Sequence, residues 1–353
     1  MNDLSTFNYL KIIIIPDIEG SFEGAKEPEN PDYNLKRMNK TGSLTISLDM
    51  ELYWGMRDTQ TINSYRENLA NVHQVIPRIL ALFEKYQIHA TWAVVGFLFF
   101  NNKEELLQNL PPLLPSYSNA LFNPYNYLKN NELEEKFHFA PEAISLIKST
   151  PFQEIATHTY SHYFGLEKGQ TNFEFREDID YAIKTQAKIS GQCRSIVFPR
   201  NQYNEEHLSI LSSLGIHYYR GNAQGWLYKP RNYKAETFGI RIIRLADAYF
   251  NLTGHNTFSY PQSNARGLKN IPASLFLRPY ASQLKIFEFL RFRRIRNAMF
   301  HAAKNKENYH IWWHPHNFGK NTNENLLFLE KILKLYSVYK SEYGFESKSI
   351  SEY

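Results

Sequence analysis

The sequence predicts an α/β fold built on a parallel sheet or barrel, and three observations carry that expectation. Short apolar or alternating runs recur between amphipathic stretches, giving a strand-helix alternation from residue 43 onward. Acidic and imidazole residues sit at the ends of those runs, where folds of this class keep their chemistry. At 353 residues the chain is long enough for a large buried core.

Residues 1–42 read as an N-terminal extension, rich in Gly, Asn and Glu, with one short strand at 11–15. Ser43 to Asp49 alternates polar and apolar side chains, the period of a strand with two different faces. The apolar period over 64–86 predicts an amphipathic helix that Pro77 kinks or divides. An apolar strand follows at 89–99. Pro111, Pro112, Pro115 and Pro124 mark 110–138 as an insertion of turns and short helices. A helix at 141–149 leads into a strand at 153–157. Helices at 172–189 and 204–214 then alternate with strands at 194–198 and 216–219. Beyond a less regular stretch, 225–280, come a basic helix at 281–303, a strand at 309–314 and a closing amphipathic helix at 324–340. The division that follows is an extension (1–42), an α/β body (43–320) and a C-terminal helix within 321–353 that packs on the body.

Composition removes several classes of function. The net charge of +5, from 40 basic and 35 acidic residues, is too small an imbalance to argue for a nucleic-acid partner. Cys193 is the only cysteine, so no disulfide forms within the chain. The start lacks a basic segment followed by a long apolar one, and the longest apolar run, Trp92 to Phe100, is far short of the roughly 20 residues that cross a bilayer. These features predict a soluble, cytoplasmic protein. With 24 Tyr, 25 Phe and 5 Trp, some aromatic faces are available for the apolar surface of a sugar ring, and Trp54 and Trp312 are candidates.

His158 and His162 stand four residues apart after an apolar run, a spacing at which both rings reach one cation if the segment turns helical. Asp49 and Glu51, two apart at the end of a strand, point the same way. Either pair alone is ordinary. Together they offer two imidazoles and a carboxylate to a zinc-type ion, with the second carboxylate free as a base. The His-Glu-x-x-His pattern carries its base between its ligands, but Thr159, Tyr160 and Ser161 stand there in this chain, which leaves that task to Asp49. Hydrolysing an amide also needs a proton for the departing amine, and His314, at the end of the strand 309–314, can supply it. His316 is the alternative acid, disfavoured because it follows Pro315 into the loop.

These residues resemble the polysaccharide deacetylase family, the NodB-homology domain of carbohydrate esterases. The first family motif is similar to Ser47-Leu48-Asp49-Met50-Glu51, the second to His158-Thr159-Tyr160-Ser161-His162, the third to Val197-Phe198-Pro199-Arg200-Asn201, and the last to Ile311-Trp312-Trp313-His314. The resemblance implies a distorted (β/α) barrel of the polysaccharide deacetylase type over 43–320 and a divalent metal, Zn2+ first among candidates. It implies Asp49 as base, Glu51, His158 and His162 as metal ligands, and His314 as acid. The main-chain N–H of Arg200, after Pro199, would hold the oxyanion, with Asn201 beside it at the substrate. Val197 occupies the position of the family's third-motif arginine, so either Arg200 takes over its contact to the base or that support is missing. Asp247 is the candidate for the acid that orients the histidine.

The expected activity is metal-dependent removal of an N-acetyl group from an amino sugar during assembly of a bacterial surface glycan such as an O-antigen. Deformylation of a formamido sugar is the rival within the class. A non-catalytic glycan-binding protein with a relic metal site is the rival outside it. The stretch 285–296, with Lys285, Arg291, Arg293, Arg294 and Arg296, is a candidate contact for a lipid-linked substrate or an anionic membrane surface.

Overall fold

Strands β1 (Ser43–Met50), β2 (Ala90–Val94), β3 (Gln153–Thr157), β4 (Ser195–Val197), β5 (Tyr218–Arg220), β6 (Lys269–Asn270), β7 (Leu275–Phe276), β8 (Asn308–Trp313) and β9 (Glu346–Ser347) form one parallel sheet in the computed structural model, which describes residues 41–353. The order is β6-β5-β4-β3-β2-β1-β8-β7, with β9 paired to the start of β1. The strand expected at 11–15 lies outside the described residues.

Connecting helices are α1 (Ile62–Ala70), α2 (Val72–Tyr86), α3 (Lys103–Leu107), α4 (Pro124–Asn130), α5 (Glu135–His138), α6 (Pro141–Ser149), α7 (Asn172–Ser190), α8 (Glu205–Ser213), α9 (Phe238–Phe250), α10 (Glu288–Asn305) and α11 (Thr322–Tyr343). The helix expected over 64–86 divides at Asn71 rather than at Pro77. Asn71 donates its side-chain amide to the Gly319 carbonyl at 2.7 Å, and its own carbonyl accepts from Gln74 and Val75 as the second helix begins. The stretch 225–280, expected to be irregular, contains the thirteen-residue helix α9. The tail adds more than the closing helix. Beyond α11, β9 joins the sheet, and the Tyr353 hydroxyl lies 2.7 Å from both Ser43 Oγ and Thr45 Oγ1.

One nine-residue segment makes this sheet a distorted barrel. Its front half pairs with β5, through Ile271 N–H to the Tyr219 carbonyl and Ala273 N–H to the Gly221 carbonyl. Its back half pairs with β8, through Ser274 N–H to the His310 carbonyl and Leu277 N–H to the Trp312 carbonyl. A single run of chain therefore joins the two edges and leaves neither open to solvent.

Strand alternation then decides what faces where. In β1, Leu44, Ile46, Leu48 and Met50 point outward into the main apolar core shared with α2, α6, α10 and α11, whereas Ser43, Thr45, Ser47 and Asp49 point inward. In β8, Tyr309, Ile311 and Trp313 join the same outer core, and Asn308, His310 and Trp312 face in. The lower interior is plugged by a small cluster that includes Ala93, Ala156, Val197, Ile271 and Tyr353. Polar inward residues are tolerable because they are paired. Ser43 donates to Asn308 Oδ1 at 2.7 Å, and Ser47 Oγ sits 2.8 Å from His310 Nε2. The inward row of each strand continues upward into the cleft at the carboxyl ends.

Candidate active site

Asp49 closes the inward row of β1, and Glu51 follows just past the strand on the same side. Both are buried, at 2% and 6% exposure. Gly55 leaves the space that the Glu51 carboxyl occupies: a Cβ there would lie 2.0 Å from the carboxyl carbon and would displace it. Bringing two carboxylates into a low-dielectric site demands compensating charge.

For Asp49 that charge is Arg220, at the end of β5. Its guanidinium donates to Oδ1 at 2.6 Å and Oδ2 at 2.7 Å, and further to Ser47 Oγ at 3.0 Å and Asn201 Oδ1 at 3.1 Å. It lies 4.1 Å over the Trp312 ring. Burial alone would raise the Asp49 carboxyl, and the Arg220 guanidinium together with the nearby His158 and His314 more than offsets it, holding the group below its ordinary range. This corrects the expectation for Arg200. Arg200 pairs instead with Asp58 at 2.7 Å and stacks 4.2 Å over Phe164 at the lip of the cleft. The guanidinium that holds Asp49 comes from the next strand along.

His158 and His162 converge on Glu51, though not on a helix. The segment after β3 is a loop in which Thr159 and His162 are left-handed, at φ 64° and 58°. Three features hold it. Gly96 N–H and Phe97 N–H donate to the carbonyls of Thr159 and Tyr160, and a Cβ on Gly96 would lie 2.8 Å from Tyr160 Cα. Thr159 Oγ1 accepts from Tyr163 N–H at 2.7 Å. Asp178, on α7, accepts from Tyr160 N–H at 2.7 Å, from Ser161 N–H at 3.2 Å and from the Ser161 hydroxyl. Burial pushes the Asp178 carboxyl up to about 7 despite these donors.

The result is a ligand set. His158 donates its Nδ1–H to the Val197 carbonyl at 2.8 Å, which turns Nε2 to within 3.3 Å of Glu51 Oε2; His162 Nε2 lies 2.9 Å from the same oxygen. His158 Nε2 is buried and makes no hydrogen bond. Two imidazole nitrogens and a carboxylate oxygen, all within 4.8 Å of one another, with one imidazole held from behind by a carbonyl, suit a divalent ion of the zinc type. Glu51 with His314 and His316 makes a second such triple. Burial would raise Glu51, and the neighbouring His314 and His162 more than reverse it, holding the carboxyl well below its ordinary range.

His314, 21% exposed, follows β8. Its Nε2 lies 3.4 Å from Glu51 and 3.9 Å from Asp49. Its Nδ1–H donates to Asn317 Oδ1 at 3.2 Å, so Asn317 orients the ring. Asp247, expected in that part, is engaged elsewhere, with Arg294 at 2.7 Å, Tyr228 at 2.6 Å and Thr253 at 2.8 and 2.9 Å. His316 stacks on His314 at 4.9 Å but does not line the cleft, and burial pushes it down to about 3.

The cleft holds about 520 Å³, and Asp49, Glu51, His162, Arg200, Asn201, Trp312 and His314 all line it. Pro199 is buried behind them in the turn after β4. Trp54 is not at the cleft: it is fully buried, donating its indole N–H to the His138 carbonyl at 2.7 Å and packing edge-on against Phe97. Tyr228, Tyr233 and Phe276 supply the aromatic lining in its place.

Residues 64–219 match the Polysaccharide deacetylase family model. The polysaccharide deacetylase match spans the His158–His162 loop, Asp178, and the turn at Arg200; it begins after Asp49 and Glu51 and ends before Arg220 and His314. A crystal structure from Mycobacterium smegmatis, described as a polysaccharide deacetylase, is 12% identical, with a TM-score of 0.56 over 89% of this chain and 90% of that one. That likeness shows the fold, the (β/α) barrel of the deacetylases. A CE4 family pseudoenzyme from Bacillus anthracis is also similar, at 12% identity and a TM-score of 0.40 over 89% of this chain and 65% of that one. So is a GH57-type branching enzyme from Pyrococcus horikoshii, at 13% identity and a TM-score of 0.47 over 88% and 69%. A comparison of the sequence with curated proteins returns no match.

Proposed function

We propose that the protein is a metal-dependent N-deacetylase of an acetylated amino sugar, acting in the assembly of a bacterial surface glycan in the cytoplasm. The observation that carries the reading is the convergence of Asp49, Glu51, His158, His162 and His314 from three strand ends on one cleft. Glu51, His158 and His162 would hold the ion, zinc being the best suited. When bound, such an ion supplies Lewis acidity, polarising a carbonyl oxygen and acidifying water.

The remaining work falls to side chains. Asp49, kept ionised by Arg220, takes the proton of the attacking water; both guanidinium contacts leave lone pairs on its oxygens for that purpose. The oxyanion would meet the Arg200 N–H, presented by a turn in which Arg200 and Asn201 both have φ 54°. His314 delivers a proton from Nε2 to the departing amine, its other nitrogen being fixed by Asn317. The test is release of acetate from N-acetylated sugars, lost on chelation and restored by zinc. Asp49→Asn should lower turnover by about 10²-fold or more with metal content unchanged, whereas His158→Ala should lose the metal. Full turnover in either variant overturns these roles, and formate release without acetate would move the assignment to a deformylase.

The membrane contact expected at 285–296 belongs to this proposal in altered form. Arg291 and Arg294 are internal, paired with Glu288 and Asp247, so they offer no charge to a surface. Lys285, Arg293 and Arg296 remain exposed, and Ile286 and Phe289 beside them are 73% and 64% exposed. On the adjoining α9, Phe238 and Ile242 are exposed as well. Basic residues flanking an apolar face suit an anionic lipid surface. Co-sedimentation with phosphatidylglycerol vesicles at low salt should be lost in Ile286→Asp/Phe289→Asp; sedimentation unchanged in that variant removes the contact.

A further inference from the structure

The cleft has a second arm, away from the carboxylates, built by residues 223–248 and by the end of β7. Its charge is unbalanced. Lys229, Arg231, Arg241, Arg244 and Arg278 line it, and Glu236 is the one carboxylate of that arm's lining. Glu236 is taken by Arg244 at 2.5 Å, and Arg231 is spent on the carbonyls of Leu227 and Lys229. Arg278, Arg241 and Lys229 pair with no carboxylate among the described residues.

Arg278 is the most informative of the three. It stands two residues past Phe276, its guanidinium carbon 5.8 Å from the Phe276 ring centroid, and that ring centroid lies 5.8 Å from the ring of His314. One aromatic ring therefore separates it from the acid. It is half-buried, and burial pushes its guanidinium down from the ordinary value, with Arg244 adding repulsion and Asp247, already paired with Arg294, opposing the shift without contacting it. A partly desolvated cation without a counter-ion costs stability unless a ligand supplies one.

We propose that Arg278, Arg241 and Lys229 form an anion subsite that binds a phosphoryl or diphosphoryl group carried by the sugar whose acetamido group meets His314. The assignment rests on the deacetylase reading and names its substrate class. A lone carboxylate on the glycan would be neutralised by Arg278 by itself. Three unpaired cations around one arm match a group with more than one negative charge spread over several oxygens, the case for which guanidinium forks are suited. The same chemistry is offered by a nucleotide-linked sugar and by a polyprenyl diphosphate-linked sugar.

Calorimetric titration of the zinc-loaded protein with inorganic pyrophosphate tests the subsite. Binding should persist in His158→Ala and weaken at least about tenfold in Arg278→Ala and further in Arg278→Ala/Arg241→Ala, all with unchanged circular dichroism. No binding by the unmodified protein, or binding that survives in Arg278→Ala/Arg241→Ala and vanishes in His158→Ala, overturns the subsite, the latter because the probe was held by the metal. Displacement of pyrophosphate by UDP-N-acetylglucosamine identifies a nucleotide source. Displacement only by phosphatidylcholine vesicles carrying a polyprenyl diphosphate-linked acetamido sugar identifies a lipid source, and displacement by neither overturns the assignment to a sugar phosphate. Intact binding in a protein that releases no acetate from any substrate would count against the deacetylase reading alone.

Discussion

On the floor of the cleft Arg220 is fully buried and its guanidinium is occupied by Asp49, Ser47 and Asn201, while in the arm Arg278 and Arg241 reach no carboxylate among the described residues. The floor is fixed before any ligand arrives. Its Asp49 carboxylate is paired, His158 is held from behind by the Val197 carbonyl, and the His158–His162 loop is pinned from α7 and from Gly96. Such preorganisation suits groups that must face a transition state. The arm keeps cations in reserve, which suits recognition of a charged part of the substrate. Arg200 stands between the two: it lines the cleft with its side chain 22% exposed, yet it is held by Asp58, whose side chain is 1% exposed.

Three substitutions sharpen the contrast. The largest effect is expected for Arg220→Met, which strands a buried carboxylate: about 3–5 kcal/mol of stability lost in denaturant unfolding, with deacetylation abolished. Asp178→Asn comes next, with about 1–3 kcal/mol lost and weaker metal retention as the loop loosens. It also has a pH signature. A carboxyl whose folded pKa is raised from 3.8 to about 7 makes the native state hold a proton that the unfolded chain has released. Its contribution to stability is therefore present below pH 4 and lost as pH rises to about 7. Buried His138 and His207, each pushed down to about 4, act in the opposite sense. The melting temperature of Asp178→Asn relative to the unmodified protein should thus improve as pH rises from 4 to 7, and a constant difference would mean that Asp178 is ionised throughout. Smallest in its effect on turnover is Arg200→Ala, with about 1–3 kcal/mol of stability lost because the buried Asp58 carboxylate is left without its partner, and an increase in KM of a few-fold at nearly constant kcat. If it damages turnover as Arg220→Met does, the distinction between floor and lip fails.

Much of the fold was legible because period-2 and period-3.6 patterns are direct traces of burial. The inward row of β1 reads off Ser43, Thr45, Ser47 and Asp49, and strand ends marked Glu51, His158 and His314. What escaped depended on distance in three dimensions. Arg220 was hidden in Tyr218-Tyr219-Arg220, a run too short to announce a ligand for a carboxylate 171 positions away. The available signal was its place at a strand end, the criterion already used for the histidines. Asp178 had a clearer one, an acid on the apolar stripe Phe175, Ile179, Ala182 of α7. Trp54 was misplaced because an aromatic beside Glu51 reads equally as wall or core, and the turn Leu52–Gly55 rotates it inward. The basic run near 290 does not reveal in sequence which charges face outward, since helical geometry sends Arg291 and Arg294 to one side and Arg293 and Arg296 to the other.

The nine residues from Lys269 to Leu277 act as a clasp, with Ile271 and Ala273 fastened to the strand that bears Arg220 and Ser274 and Leu277 to the strand that leads to His314. The spacing between Arg220, the partner of Asp49, and His314 is thus set by one short peptide rather than by two independent elements. Arg278 is the very next residue, so any loosening of the clasp would move the His314 side of the cleft and the Arg278 side as a unit.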